Sequence, residues 1–475
     1  MNKEKLAELS IVEAGKKLVA GEVSSVELTR ACLKNIEAKN DQLNAYVEVF
    51  DDVEKQARAA DERRARGEAH PLLGIPLAIK DNILIEGRRV SAGSKMLKNY
   101  VATYDATVIK KLKSAGAVFL GRTNMDEFAM GSSTETSAFG PSRNPYDPSR
   151  VAGGSSGGSS SAVAAHMAIG SLGSETSGSI RQPASHTGLV GLKPTYGAVS
   201  RSGLIAMASS LDQIGPITKT VADAEVLFNT IRGLDPLDGT TLPDSAFSTV
   251  RRPKVVGVPR AFFAGGVSPD VLKRFEDALS SLRELGYEMR DVELSHAPIS
   301  LAVYSIISRA EASTNLARFD GTRYGLSAEA KTLGELYANT RGAGFGDEVR
   351  RRILVGTYVL SAGYADEYYS KARTLRDLIR ADFAQVFGPS GGVDAVVTPM
   401  CAAPAFLVGA KADPLAMYAE DIFAAPANLA DIPAMSGPMG TVVRDGVSLP
   451  VGLNIMAPHG KDESLFSIAE DVESI

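Results

Sequence analysis

Followed along its hydrophobic and polar positions, the chain begins as helix and then changes period. The first 60 residues read as helices, with Ser24 and Glu27 at capping-box spacing ahead of LTRACLKNIEAKN, which makes Cys32 a core residue. From residue 72 short apolar runs alternate with helix: LLGIPLAIK as strand, DATVIKKLKSAG as helix, AVFLGRT as strand. Further on, KVVGVP reads as a strand before a helix with Ser268 as N-cap, Pro269 in its first position and Gly286 as its stop. Val271, Leu272, Phe275, Leu279, Leu282 and Leu285 are assigned to one face of that helix. YEMRDVEL, DAVVTP and PVGLNIM read as strands, and the stretch from about 300 to 387 as mostly helical. Strands alternating with helices throughout predict an α/β fold with one large sheet layered by helices. No repeat period is visible, and GLDPLDGTTLPDSAFSTVRRP reads as a surface connection more than a domain boundary.

Composition narrows the class. With 44% hydrophobic and 23% charged residues the chain falls among ordinary soluble globular proteins. It has no apolar run of membrane-spanning length, and the start MNKEKLAELS has no signal-type apolar stretch, so the expected setting is cytoplasmic with no membrane contact. The two cysteines, Cys32 and Cys401, make no disulfide framework and have no metal-ligand spacing, so no metal site is expected. A net charge of −5 spread along the chain excludes strong direct nucleic-acid binding; any RNA is expected to be carried by a partner.

The candidate chemistry lies in VAGGSSGGSSSAV, residues 151–163. As a phosphate cradle the run lacks the lysine of a P-loop. Gly153, Ser155 and Gly157 satisfy G-x-S-x-G, but the preceding RNPYDPSRVA is turn sequence and not the buried strand that a nucleophile elbow follows. A flexible linker would not continue into SAVAAHMAI and a second cluster, LGSETSGSIRQPA. Two tight turns brought together by a short helix, each offering hydroxyls and bare N–H groups, fit better. A nucleophilic serine needs a base. His70, His166, His186, His296 and His459 are scattered without an acid-base motif, which leaves Lys80 in IPLAIKDN. Strand alternation turns Lys80 away from Asp81, and burial would lower its pKa toward neutrality. The competing reading of Lys80 is a solvated strand-end residue.

GGSSGGS at 153–159, GSIRQPA at 178–184 and GLKPTYG at 191–197, with Lys80 upstream and Ser155 and Ser179 24 residues apart, resemble the amidase signature family. Within it, NMDEFAMGSSTETSAFGPSRNPYDPSRVAGGSSGGS, SSLDQIGP and EASTNLARFDGTRYG are similar to the glutaminase branch that serves tRNA-dependent amidotransferases, over nearly the whole chain. The resemblance implies an amidase signature fold: a single large domain over 1–475, with a central mixed β-sheet covered by helices on both sides. Its expected parts are N-terminal helices at 1–70, a signature core at about 72–232 and the remaining sheet and helical cover at 250–475.

The same resemblance implies a Ser-Ser-Lys triad, with Ser179 as nucleophile and Ser155, after a cis peptide bond, relaying a proton to Lys80. Backbone N–H groups of Thr176, Ser177, Gly178 and Ser179 are expected to form the oxyanion hole, and Arg352, Asp421 and Tyr304 to bind the substrate, glutamine. The chain itself is expected to hold no cofactor. A B-like partner would bind tRNA and use ATP and Mg²⁺, and a small C-like partner would complete a heterotrimer. The alternatives are a free-standing amidase of the family acting on another small amide, and a non-catalytic scaffold. The chain departs from the family pattern at Glu175, where aspartate is usual, and at Ser177, where glycine is usual and a positive φ is therefore expected to cost strain.

Overall fold

The computed structural model describes residues 3–247 and 254–474. Its strands are β1 (Tyr46–Val49), β2 (Pro76–Lys80), β3 (Val118–Thr123), β4 (Arg143–Asn144), β5 (Asp147–Val151), β6 (Gly170–Glu175), β7 (Val190–Lys193), β8 (Gln213–Thr218), β9 (Val255–Val258), β10 (Glu288–Asp291), β11 (Ala395–Pro399), β12 (Ala434–Arg444) and β13 (Val447–Met456). Eleven of them form one sheet in the order β1-β3-β2-β6-β8-β7-β12-β13-β11-β9-β10, and β4 and β5 make a separate pair. The sheet is mixed: β2 runs parallel to both β3 and β6, β9 is parallel to β10 and β11, and the middle is antiparallel. Helices flank it, and the central strands β2, β3, β6, β7 and β8 are buried along their whole length, as strands covered on both faces must be.

The local signals act as their chemistry predicts. Ser24 accepts from the Glu27 N–H while the Glu27 carboxylate accepts from the Ser24 N–H, closing the capping box of the helix Ser25–Leu43, and Cys32 is fully buried. The helix Pro269–Glu284 starts after Ser268, and Gly286 just past its end takes φ +94°. Its buried face is narrower than the sequence assignment: Val271, Phe275, Leu279 and Leu282 are buried, whereas Leu272 and Leu285 stay in contact with solvent. Leu272 lies a residue off the stripe, and Leu285 is the cap, where the chain already turns away.

Other expectations are corrected. The N-terminal segment 1–70 is not all helical, because Tyr46–Val49 forms β1 and edges the sheet against β3. The helix expected over SAVAAHMAI starts earlier, inside the glycine/serine run, at Gly157–Ala164. Half of the second glycine/serine cluster is strand: Gly170–Glu175 is β6, and its small residues let β2 and β8 pair closely on either side. In the connection 233–253, Asp235 and Asp238 are buried and accept hydrogen bonds from Thr107, Ser200 and Arg201, so that part is a built loop. Residues 248–253 lie outside the described residues.

Candidate active site

Lys80 is the last residue of β2, fully buried, and its ammonium donates to Ser155 Oγ at 2.8 Å, Ser156 Oγ at 2.8 Å and the Ser174 carbonyl at 3.0 Å. Desolvation lowers its pKa to about 7, against the opposing fields of Asp126, Asp212 and Glu175. Asp81 is indeed elsewhere: its carboxylate is held by Arg122 at 2.7 Å and by Ser91. Alternation identified the neighbour that points away, but three carboxylates distant in sequence surround the amine instead.

The glycine/serine run exists to bring backbone close to that amine. A Cβ on Gly154 would fall 2.1 Å from Asp126 Oδ2 and 2.6 Å from the Ser133 N–H nitrogen, so nothing larger than glycine fits there. The Gly154–Ser155 peptide is cis, as the family resemblance implied. The Asp126 loop holds the turn in place: its N–H donates to the Ser155 carbonyl at 3.3 Å, and its carboxylate accepts from the Thr134 and Thr136 N–H groups at 2.9 and 3.3 Å. Ser156 ties the two motifs together, since its N–H donates to the Ser179 carbonyl at 3.1 Å and its hydroxyl to the Ser174 carbonyl at 3.1 Å.

The second turn follows β6. Gly178 takes φ +84°, which only glycine adopts without strain, and a Cβ there would lie 2.7 Å from the Ala424 side chain. Ser177 is not among the residues of positive φ, so the strain expected at that position is absent; the left-handed residue is Gly178. The Ser177 hydroxyl is buried with no hydrogen-bond partner among the described residues. Thr176 donates its hydroxyl to Asp212 at 2.7 Å. Glu175 accepts from the Ile180 and Arg181 N–H groups at 3.0 and 3.2 Å and from the Arg181 guanidinium, which drives its pKa down in spite of burial. Ser179 is 5% exposed where Lys80 and Ser155 are wholly enclosed, so the three residues are ordered from interior to opening. Among the described residues, Ser179 is bonded to the cluster through its carbonyl and not through its hydroxyl.

A buried polar cluster adjoins this turn. The Asp421 carboxylate accepts from Ser132 Oγ at 3.1 Å on both oxygens, and a Cβ on Gly178 would lie 3.4 Å from one of them. Burial pushes its pKa well above the usual carboxylate range, over the opposing effects of Ser132 and Arg352. Arg352 is buried while the neighbouring Arg350 and Arg351 are exposed, and its Nε donates to Glu348 at 2.7 Å. Tyr304 is buried, with its pKa raised to about 12 by desolvation, and it lies within the fields of Arg352 and Asp421. The structure thus brings Arg352, Asp421 and Tyr304 into one buried polar cluster. Among the described residues no group of three or more His, Cys, Asp or Glu could hold a metal ion, and no helix is long and apolar enough to cross a membrane.

The Amidase family model matches residues 27–466, a span that contains the lysine, both turns and the polar cluster. The chain belongs to the amidase family. Among curated relatives, the A subunit of the Glutamyl-tRNA(Gln) amidotransferase of Roseiflexus sp. (strain RS-1) is 48% identical over 99% of this amidase and 97% of its own length. That of Carboxydothermus hydrogenoformans is 49% identical over 98% and 96%. Among solved structures, the A subunit of the Thermotoga maritima Glutamyl-tRNA(Gln) amidotransferase superposes with a TM-score of 0.77 at 40% identity, covering 100% of this amidase and 94% of that chain. The native peptide amidase of Stenotrophomonas maltophilia superposes at 0.80 with 31% identity, covering 99% and 97%.

Several groups in the amidase site escaped the sequence reading. Ser156 was indistinguishable from its neighbours in a run of serines. Ser132, Asp126 and Glu348 lie in segments whose patterns mark only loop or helix, and nothing local announces that they orient Asp421, the Ser155 turn and Arg352. Their one signal is shared with every polar loop residue.

Proposed function

We propose that this chain is the glutamine-hydrolysing subunit of a tRNA-dependent amidotransferase, supplying ammonia that converts Glu-tRNA(Gln) to Gln-tRNA(Gln), or Asp-tRNA(Asn) to Asn-tRNA(Asn). The likeness to amidotransferase A subunits at 48% identity over 99% of the chain carries the reading. Neutral Lys80 draws a proton from Ser155 as Ser155 takes one from Ser179, whose oxygen bonds to the side-chain amide carbon of glutamine. The N–H groups from Thr176 to Ser179 receive the developing oxyanion, each donor lowering the barrier by on the order of 3 kcal/mol. The proton then passes to the amide nitrogen, the C–N bond breaks and ammonia leaves, with a glutamyl ester left on Ser179. Water adds to the ester by the same relay and releases glutamate. Arg352 holds the α-carboxylate, Asp421 the α-ammonium, and Tyr304 lines the pocket between them.

The chain works as part of a cytoplasmic heterotrimer. It holds no cofactor; a B-like partner binds tRNA and uses ATP and Mg²⁺ to activate the misacylated carboxylate, and a small C-like partner straps the two together. The net charge of −5 and its even spread support a division in which the glutaminase does not hold the tRNA. Mass spectrometry after mixing with glutamine tests the chemistry. A glutamyl adduct is expected on Ser179 and none in the Lys80→Ala variant; an adduct elsewhere, or one that persists without Lys80, refutes the mechanism.

A further inference from the structure

Two arginines reach one aromatic ring. The guanidinium carbons of Arg309 and Arg352 lie 4.6 and 5.4 Å from the centroid of Tyr418. They come from the helices Ser300–Asn315 and Asp347–Leu360, which pack so closely that a Cβ on Gly356 would fall 1.9 Å from the Arg309 carbonyl oxygen. Tyr304, on the same helix as Arg309, is buried within the fields of both arginines and of Asp421.

The two cations differ in what balances them. Arg352 is paired with Glu348 at 2.7 Å, a carboxylate that it shares with Arg351 and that also accepts from the Tyr418 hydroxyl at 2.8 Å, so this arginine is held in place by an acid within the protein and its outer nitrogens remain as donors. Arg309 is 8% exposed, and its guanidinium makes no ion pair or hydrogen bond among the described residues. The acid nearest to it along the helix, Glu311, is engaged by the Ser210 N–H and hydroxyl at 2.8 and 2.6 Å. A guanidinium withdrawn from water without a counter-charge is disfavoured, and an anion arriving beside it relieves that cost.

We propose that Arg309 supplies the uncompensated positive charge that binds the carboxylate of the amide donor, with Arg352 beside it as the hydrogen-bonding fork oriented by Glu348. The site therefore selects amides that carry a carboxylate through two arginines, one for charge and one for geometry. This rests on the glutaminase reading for the identity of the donor, and not for the existence of the anion site.

The test uses the assembled complex carrying Arg309→Met or Arg309→Lys, assayed with glutamine and with butyramide, a primary amide without a carboxylate. Arg309→Met is expected to raise KM for glutamine about 10-fold or more with kcat within about 3-fold, to lower the glutamine-to-butyramide ratio of kcat/KM about 10-fold, and to be largely rescued by Arg309→Lys. An unchanged KM for glutamine, or equal losses on both amides, overturns the proposal. A wild-type complex that turns over butyramide and not glutamine refutes the glutaminase reading instead. Calorimetric titration with glutamate then decides the anchor by itself: affinity about 10-fold weaker in Arg309→Met supports it, and equal affinities overturn it.

Discussion

At the scale of single residues, the proposed mechanism turns on one amine whose surroundings lower its pKa. Lys80 is fully buried, and burial outweighs the three carboxylates that favour its protonated form, bringing its pKa to about 7. The sign follows directly: the base is the neutral form, its fraction grows as pH rises, and hydrolysis should climb through about pH 7 and then level off. A rate–pH profile that is flat from pH 6 to 9 would exclude Lys80 as the titrating base. Lys80→Met should lower the single-turnover rate on the order of 10²–10⁴-fold, the usual worth of a positioned base. Strand alternation made Lys80 legible as a candidate, because period-2 geometry fixes which neighbour faces away. Composition and periodicity could not single out Arg352 from Arg350 and Arg351; the family resemblance did, and in the structure burial against Tyr418 sets it apart.

At the scale of elements, the signals that were legible are those whose physics is local. Capping boxes, proline at a helix start and glycine after its end act within a few residues, and Ser24, Pro269 and Gly286 sit where those rules put them. The strands β6, β7, β8 and β12 were not visible, because glycine- and serine-rich segments such as GSLGSE carry no hydrophobic alternation; pairing with neighbours on both sides makes them strands. The helix Pro269–Glu284 shows the limit of periodicity, which gives a stripe but not its edges. Leu282→Ala should cost about 2–5 kcal/mol, as removal of a fully buried leucine does. Leu285→Ala, at 51% exposure, should change stability by no more than about 0.5 kcal/mol. Denaturant unfolding of the two variants checks the pair, and equal losses would restore the wider face.

At the scale of the whole molecule, the early strands and the late strands meet at the β7–β12 junction, where three residue pairs are in register. Arg181 reinforces that seam from the nucleophile turn. Fully buried, it donates to Glu175 at 2.9 and 2.5 Å, to Asn454 on β13 at 2.9 Å, to Asn428 at 2.7 Å and to the Ala424 carbonyl at 3.0 Å. Arg181→Met would leave Glu175 buried without its counter-charge, a loss of about 3–5 kcal/mol. Thermal unfolding should show it, and the double variant with Glu175→Gln should recover part of the stability; no recovery would mean that the Asn454 and Asn428 bonds carry the seam instead. The large mixed sheet was anticipated from strand and helix alternation, whereas this long-range clamp was not, since its members are up to 273 residues apart. The residues proposed to break the amide bond lie between 80 and 179, and those proposed to hold the donor's backbone end between 304 and 421, the two sets meeting where Ser132 and Gly178 approach Asp421. A lineage can therefore change its diet by rewriting the later stretch while the earlier one goes on cutting the same bond.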